Sequence, residues 1–162
     1  MSLFPDFCRP LQPGEDAAAA DLVALAFGGT DEVRLMDLLR QEGSMVGEMV
    51  LPLGEALIGY YALSVMRGPK DWLCLAPVAI HPEHQGRGHG RRMIGQLTEW
   101  ARIAGQTVVV LGQPEFYESA GFSRARAARL SSPYPITHTL LAGPGEDVPE
   151  ETLIYPKAFD RI

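Results

Sequence analysis

Val78-Ala79-Ile80-His81-Pro82-Glu83-His84-Gln85-Gly86-Arg87-Gly88-His89-Gly90 is the stretch whose reading decides the fold. An apolar strand runs into a glycine-rich loop, and a helix follows. The first turn of a helix carries N–H groups with no intrahelical partner and a partial positive charge, which suits an anion such as phosphate. Glycine lets the backbone approach such a group closely. The loop therefore reads as a pyrophosphate cradle. It is not a P-loop, because no Gly-Lys-Ser/Thr follows it. Nor is it a dinucleotide fingerprint, because Arg91 stands where the third glycine of Gly-x-Gly-x-x-Gly belongs.

Working outward, Trp72–Ile80 reads as a long apolar strand in the middle of a sheet. Pro77 interrupts it. Proline donates nothing to a ladder, so the strand must bulge or part from a neighbour there. Met45–Leu51 and Leu57–Met66 read as a hairpin joined through Pro52, Gly54 and Glu55. Before them, Cys8–Leu11 reads as a short edge strand. A helix from Glu15 follows, with Ala18, Leu22, Leu25 and Ala26 at helical spacing, and a second runs from Thr30 or Asp31 to Arg40. After the loop, a helix is expected over 91–104 with Met93, Leu97, Trp100, Ala101 and Ala104 inward. Thr107–Leu111 reads as a strand, Pro114 opens a brief helix, and Ile136–Leu141 and Thr152–Tyr155 read as the last two strands. The expected order is β-α-α-β-β-β-α-β-α-β-β. It spells one mixed α/β domain over residues 1–162, with no repeat or linker.

The 162 residues are 46% hydrophobic and 21% charged, with a net charge of −6. A chain of this length supports its own core without a metal or disulfide. Cys8 and Cys74 form no metal spacing and read as reduced, buried thiols. The acidic balance argues against a nucleic-acid partner and suits a cationic amine. No apolar run has membrane-spanning length, and the N-terminus lacks a secretory pattern, so a cytoplasmic protein without a membrane partner is expected.

Gln85-Gly86-Arg87-Gly88-His89-Gly90 fits Gln/Arg-x-x-Gly-x-Gly/Ala, and here the chain resembles the GNAT acetyltransferases. Pro114-Glu115-Phe116-Tyr117-Glu118-Ser119-Ala120-Gly121-Phe122 is similar to the family's Tyr-x-x-x-Gly-Phe signature. Leu111-Gly112-Gln113-Pro114, together with Gly143, Tyr155 and Phe159, resembles the YhbS-like branch, with Phe116 in place of that branch's first tyrosine. The resemblance implies a single-domain GNAT-like fold, its fourth and fifth strands parted to admit the pantetheine arm of acetyl-CoA. It implies transfer of an acetyl group to a primary amine by direct attack, with acetyl-CoA as cosubstrate and no metal. Val78, Ala79 and Ile80 would line the donor, and a backbone N–H among them would face the carbonyl oxygen. Gln85, Gly86, Arg87, Gly88, His89, Gly90 and Arg91 would hold the pyrophosphate, with Arg87 and Arg91 either adding charge or remaining solvated cations.

Tyr117 is the candidate acid, since the family's tyrosine lies by the coenzyme sulfur. The base is open. The stretch Leu73–Ala76 has no carboxylate where many relatives place a glutamate, which leaves His81, His84, His138 and Glu48. His81 and His84 read as surface residues. Cys74 lacks an activating partner for nucleophilic work. The acceptor is a small-molecule or protein amine, and family members are often homodimers. The missing carboxylate also leaves room for a second reading, a non-catalytic acyl-CoA-binding sensor or interaction module on the same fold.

Overall fold

The computed structural model describes Pro5 and residues 7–162. Its strands are β1 (Arg9–Pro10), β2 (Met45–Leu53), β3 (Ala56–Val65), β4 (Leu73–Ile80), β5 (Val108–Leu111) and β6 (Thr139–Ala142). Its α-helices are α1 (Asp16–Phe27), α2 (Asp31–Gln41), α3 (His89–Ala104) and α4 (Pro114–Ser119). The strands form one sheet in chain order, antiparallel throughout except for the parallel pair β4–β5. A parallel pair needs a crossover, and α3 supplies it. The loop expected to bind phosphate is therefore the turn by which the chain leaves the sheet into that crossover.

Alternation along the strands sends side chains to two cores. Leu51, Ile58, Leu75, Val108, Val110 and Leu140 meet Met93, Ile94, Leu97 and Ala101 of α3 on one face. Val50, Tyr60, Ala62 and Ala79 meet Ala19, Leu22 and Val23 of α1 and Met36 of α2 on the other. Beyond α2, that second face is covered by the C-terminal segment, where Leu153 and Tyr155 pack on Cys74, Val109 and Leu141.

Several boundaries differ from the sequence reading. Thr152–Tyr155 is not a strand. Its strand-like pairing is confined to the isolated bridges Ser131↔Thr152 and Gly68↔Ile154, because it lies across the sheet face rather than along an edge. Ile136–His138 is a 3₁₀ turn, so the last strand begins at Thr139. Helix α3 starts at His89, two residues early, because Gly88 caps it in the left-handed conformation. The buried stripe of α1 is Ala19, Leu22 and Val23, while Ala18 and Leu25 face outward. Likewise Ile94 replaces Trp100 and Ala104 on the inner face of α3. Both shifts are one step around a helix whose apolar residues exceed what the sheet covers.

The N-terminal edge is fastened by charge. Arg9 on β1 donates two hydrogen bonds to Glu15, at 2.8 and 2.9 Å, and the Gln12 N–H adds a third at 2.8 Å. The Arg9 guanidinium, then the Gln12 N–H, hold the Glu15 carboxyl down at about 2 against an ordinary 4.5. Between those values the unfolded chain binds a proton that the folded chain refuses. The contribution is therefore complete above about pH 4.5 and is lost as the pH falls toward 2. Glu15→Gln is expected to melt below the wild type at pH 7. That gap should narrow as the pH is taken from 5 to 3, as measured by thermal denaturation across pH.

Candidate functional site

Pro77 creates the opening. Strand β4 pairs with β5 only from Leu73↔Val108 to Leu75↔Val110, and the two strands separate at Ala76. On its other edge the register with β3 jumps from Tyr61↔Val78 to Leu63↔Leu75, so Ala62 stands opposite both Ala76 and Pro77. That is a bulge, with two residues facing one. Regular pairing resumes beyond it, and the His81 N–H donates to the Ile58 carbonyl at 2.8 Å. N–H directions alternate along an antiparallel strand. Ala79 therefore also faces β3, while the N–H groups of Val78 and Ile80 point to the side that β5 has left.

The glycine loop sits at the end of this freed edge. Gly86 and Gly88 have φ of 75° and 83°, conformations that other residues rarely adopt. The first backbone bond of α3 runs from the Arg92 N–H to the Gly88 carbonyl, so the N–H groups of His89, Gly90 and Arg91 have no helical acceptor. A Cβ on Gly90 would stand 3.2 Å from the Phe116 ring and 3.3 Å from Ile80. Gly90 therefore keeps open a gap that any other side chain would fill. Gln85 donates from Nε2 to the Ile80 carbonyl at 3.0 Å, which ties the loop to the strand end.

The resulting cavity, ≈ 470 Å³, is lined by Ile80, His84, Gln85, Gly86, Gly88, Gly90, Arg91, Phe116 and Ser119. Nδ1 of His84 is buried there without a protein partner. The His89 imidazole has its proton affinity lowered by burial first and then by the charges of Arg92, His84 and Arg87. A positively biased corner with free N–H groups fits a phosphate group. Of the other residues expected to hold it, Arg87 and His89 stand beside the cavity rather than in its lining. The Ala79 side chain is buried under α1.

A second cavity, ≈ 400 Å³, occupies the gap between β4 and β5. Leu75–Val78 form its floor, Phe27, Glu32 and Leu35 of α1 and α2 one wall, and Gln113, Phe116 and Tyr117 the other. Phe116 and strand β4 are common to both cavities, so they adjoin. Tyr117 stacks edge-on between Phe116 and Phe122, with centroids 4.9 and 5.6 Å away. Burial pushes its phenol up to about 12, so it stays protonated at neutral pH. Gly112 makes room for the ring, since a Cβ there would lie 2.5 Å from Tyr117 Cε2.

The other ionisable candidates lie elsewhere. Glu48 accepts from Tyr60 Oη at 2.6 Å and from Arg40 Nη2 at 2.5 Å, with Arg40 Nε a further 3.1 Å from each oxygen. Its lone pairs are committed to joining β2, β3 and α2. His138 is exposed on the 3₁₀ turn and lines neither cavity. His81 uses Nδ1 to accept the Glu83 N–H at 3.1 Å and so shapes the loop. Burial raises the Cys74 thiol to about 12, which makes it inert. A larger cavity, ≈ 640 Å³, lies between α3 and β2–β3 and is lined mainly by apolar residues such as Met49, Leu63 and Trp100. It offers no chemistry of comparable kind.

The family resemblance implies acceptor groups from around Phe27 to Arg40 and Ser131 to His138, and Phe27, Glu32 and Leu35 of the first stretch form the cleft's second wall. Phe27, Glu32 and Leu35 read as ordinary residues of two amphipathic helices, and no local pattern marks them. His84 read as a surface residue, yet one of its nitrogens is buried.

Comparison with known proteins agrees with this geometry. Residues 46–124 match the model for the acetyltransferase (GNAT) domain. The chain is 34% identical over 123 residues to an uncharacterized N-acetyltransferase, YjhQ of Escherichia coli, covering 72% of this chain and 62% of that protein. It thus spans less than two thirds of that relative's length. Among solved structures, the GNAT family N-acetyltransferase YhbS of Escherichia coli in complex with CoA superposes with a TM-score of 0.83 at 22% identity, over 100% of this chain and 96% of that one. A GNAT family acetyltransferase from Brucella melitensis in complex with acetyl-CoA superposes at 0.77 with 25% identity, over 94% and 97%. The loop, the parted strands and these likenesses converge, and the chain carries a GNAT-family acetyltransferase domain.

Proposed function

We propose that the protein is an N-acetyltransferase that moves the acetyl group of acetyl-CoA to a primary amine. The observation that carries this reading is the freed edge of β4. Two backbone N–H groups, at Val78 and Ile80, face a cleft that adjoins a phosphate-type cradle at the start of α3. The relatives in complex with CoA and acetyl-CoA support a donor of that class.

The free N–H groups of α3 and the loop, with Arg91, His84 and Gln85, hold the pyrophosphate. Arg87 adds positive field from beside the cradle, and His89 contributes its free backbone N–H. The β4 edge receives the amide-bearing arm as an added strand would be received, through the N–H groups of Val78 and Ile80. Ala79 serves as the spacer that sets those two on one side. One of them stabilises charge on the carbonyl oxygen during attack, where a fixed donor in a poorly hydrated cleft acts strongly. Holding donor and amine together in that cleft supplies a large further share by orientation.

Tyr117 donates a hydrogen bond to the departing thiolate. Burial disfavours a thiolate formed beside the phenol as it disfavours the phenolate, so both proton affinities shift upward. No carboxylate on β4 takes the amine proton, and Glu48 is committed elsewhere. The missing strand carboxylate is what favours the second reading, an acyl-CoA-binding module without efficient turnover.

Titration with acetyl-CoA by calorimetry is expected to give saturable binding with a Kd in the micromolar range, with none for NADH. Absence of acetyl-CoA binding overturns the assignment. Binding without CoA release across an amine panel favours the module. Tyr117→Phe should lower kcat by roughly 10²-fold, the low end for a positioned proton donor, with the acetyl-CoA KM little changed. Steady-state kinetics decides this, and an unchanged kcat removes the role. Gly112→Ala should cost a similar factor in kcat, because its Cβ displaces the tyrosine ring, while circular dichroism and acetyl-CoA binding stay as in the wild type.

A further inference from the structure

Among the described residues, the cleft between β4 and β5 has a single carboxylate, and its surroundings are apolar. Phe27, Leu35, Val78 and Phe116 supply hydrophobic wall, Gln113 supplies an amide, and no lysine, arginine or histidine among the described residues lines it. Glu32 stands at the second position of α2, half-buried, with no hydrogen-bond or ion-pair partner among the described residues. The other acidic side chain weighed for this site, Glu48, contrasts with it, since Arg40 and Tyr60 occupy it fully.

An unpaired carboxylate in a partly dehydrated apolar pocket attracts a cation more strongly than the same group in open water. It also repels a second carboxylate. We infer that Glu32 selects the acceptor: the cleft takes an amine that arrives as an ammonium ion on an apolar body, and it rejects amines bearing a carboxylate beside the nitrogen. This rests on the acetyltransferase reading and names the acceptor class for that same cleft. The cleft of ≈ 400 Å³ also receives the arm of the donor, so the space left for the acceptor suits a body no larger than about phenethyl size.

Phenethylamine and phenylalanine share that body and differ in the carboxylate, so they are the probes. Each is titrated calorimetrically into protein saturated with CoA. The wild type is expected to bind phenethylamine at least tenfold more tightly than phenylalanine. Glu32→Gln should weaken phenethylamine at least tenfold and remove most of the discrimination. Glu32→Asp should keep the discrimination, and Glu32→Arg should reverse it, with CoA affinity unchanged in all three. The inference is overturned if phenethylamine does not bind, or if Glu32→Gln lowers the melting temperature while leaving both affinities as they were. The second result would mean that Glu32 only complements the N-terminal charge of α2. If CoA itself fails to bind the wild type, the acetyltransferase reading falls instead.

Discussion

Strand β4 satisfies both of its neighbours only over its first half, and the site depends on that. Its first three residues pair with both β3 and β5, and its last three pair with β3 alone. Ala76 and Pro77 stand between, opposite a single residue of β3. An unpaired strand edge inside a protein normally carries a cost, because buried N–H groups need acceptors. Here the edge opens on a cavity, so its donors are available to an incoming ligand. A continuous β4–β5 ladder would close the cleft and leave the glycine loop facing nothing.

The freed edge and the helix terminus work as one because of how tightly they are joined. Gln85 reaches back to the Ile80 carbonyl, and Gly90 brings α3 within contact of Ile80 and Phe116. Phe116 is the wall shared by the two cavities, and the next residue, Tyr117, is clamped between Phe116 and Phe122. The short helix α4 is held in turn by Thr98, whose hydroxyl donates to the Ala120 carbonyl at 2.7 Å. Helix α3 thus carries the anion cradle at its start and steadies the tyrosine helix from its middle. A site built on one rigid helix keeps its parts in register more closely than one built on separate loops.

Charge is distributed with the same economy. Arg9 with Glu15 and Arg40 with Glu48 are used to fasten elements together. The acidic excess is therefore not spread evenly over free carboxylates, and Glu32 stands apart as one that faces a cavity without a partner among the described residues. The chain's net charge of −6 draws cations toward the surface in general, while the position of one side chain decides where a cation can rest.

The loop was legible in the sequence because glycine spacing and a helix start are local facts. So were Pro77, Tyr117 with Gly121-Phe122, and the sheet-forming runs of the hairpin and central strand. Local chemistry fixes which backbone groups lack partners and which residues tolerate positive φ. It did not reveal that Thr152–Tyr155 lies across the sheet, because an apolar alternating run reads alike on a face or at an edge. It also did not separate Glu48 from Glu32. The sequence by itself determined an anion-binding loop at the end of an interrupted strand. Only the tertiary structure decided which carboxylate is spent on an arginine and which helix walls the cleft. Those choices depend on contacts between residues far apart in the chain, such as Glu32 and Leu35 with Gln113 and Tyr117, that no local pattern encodes.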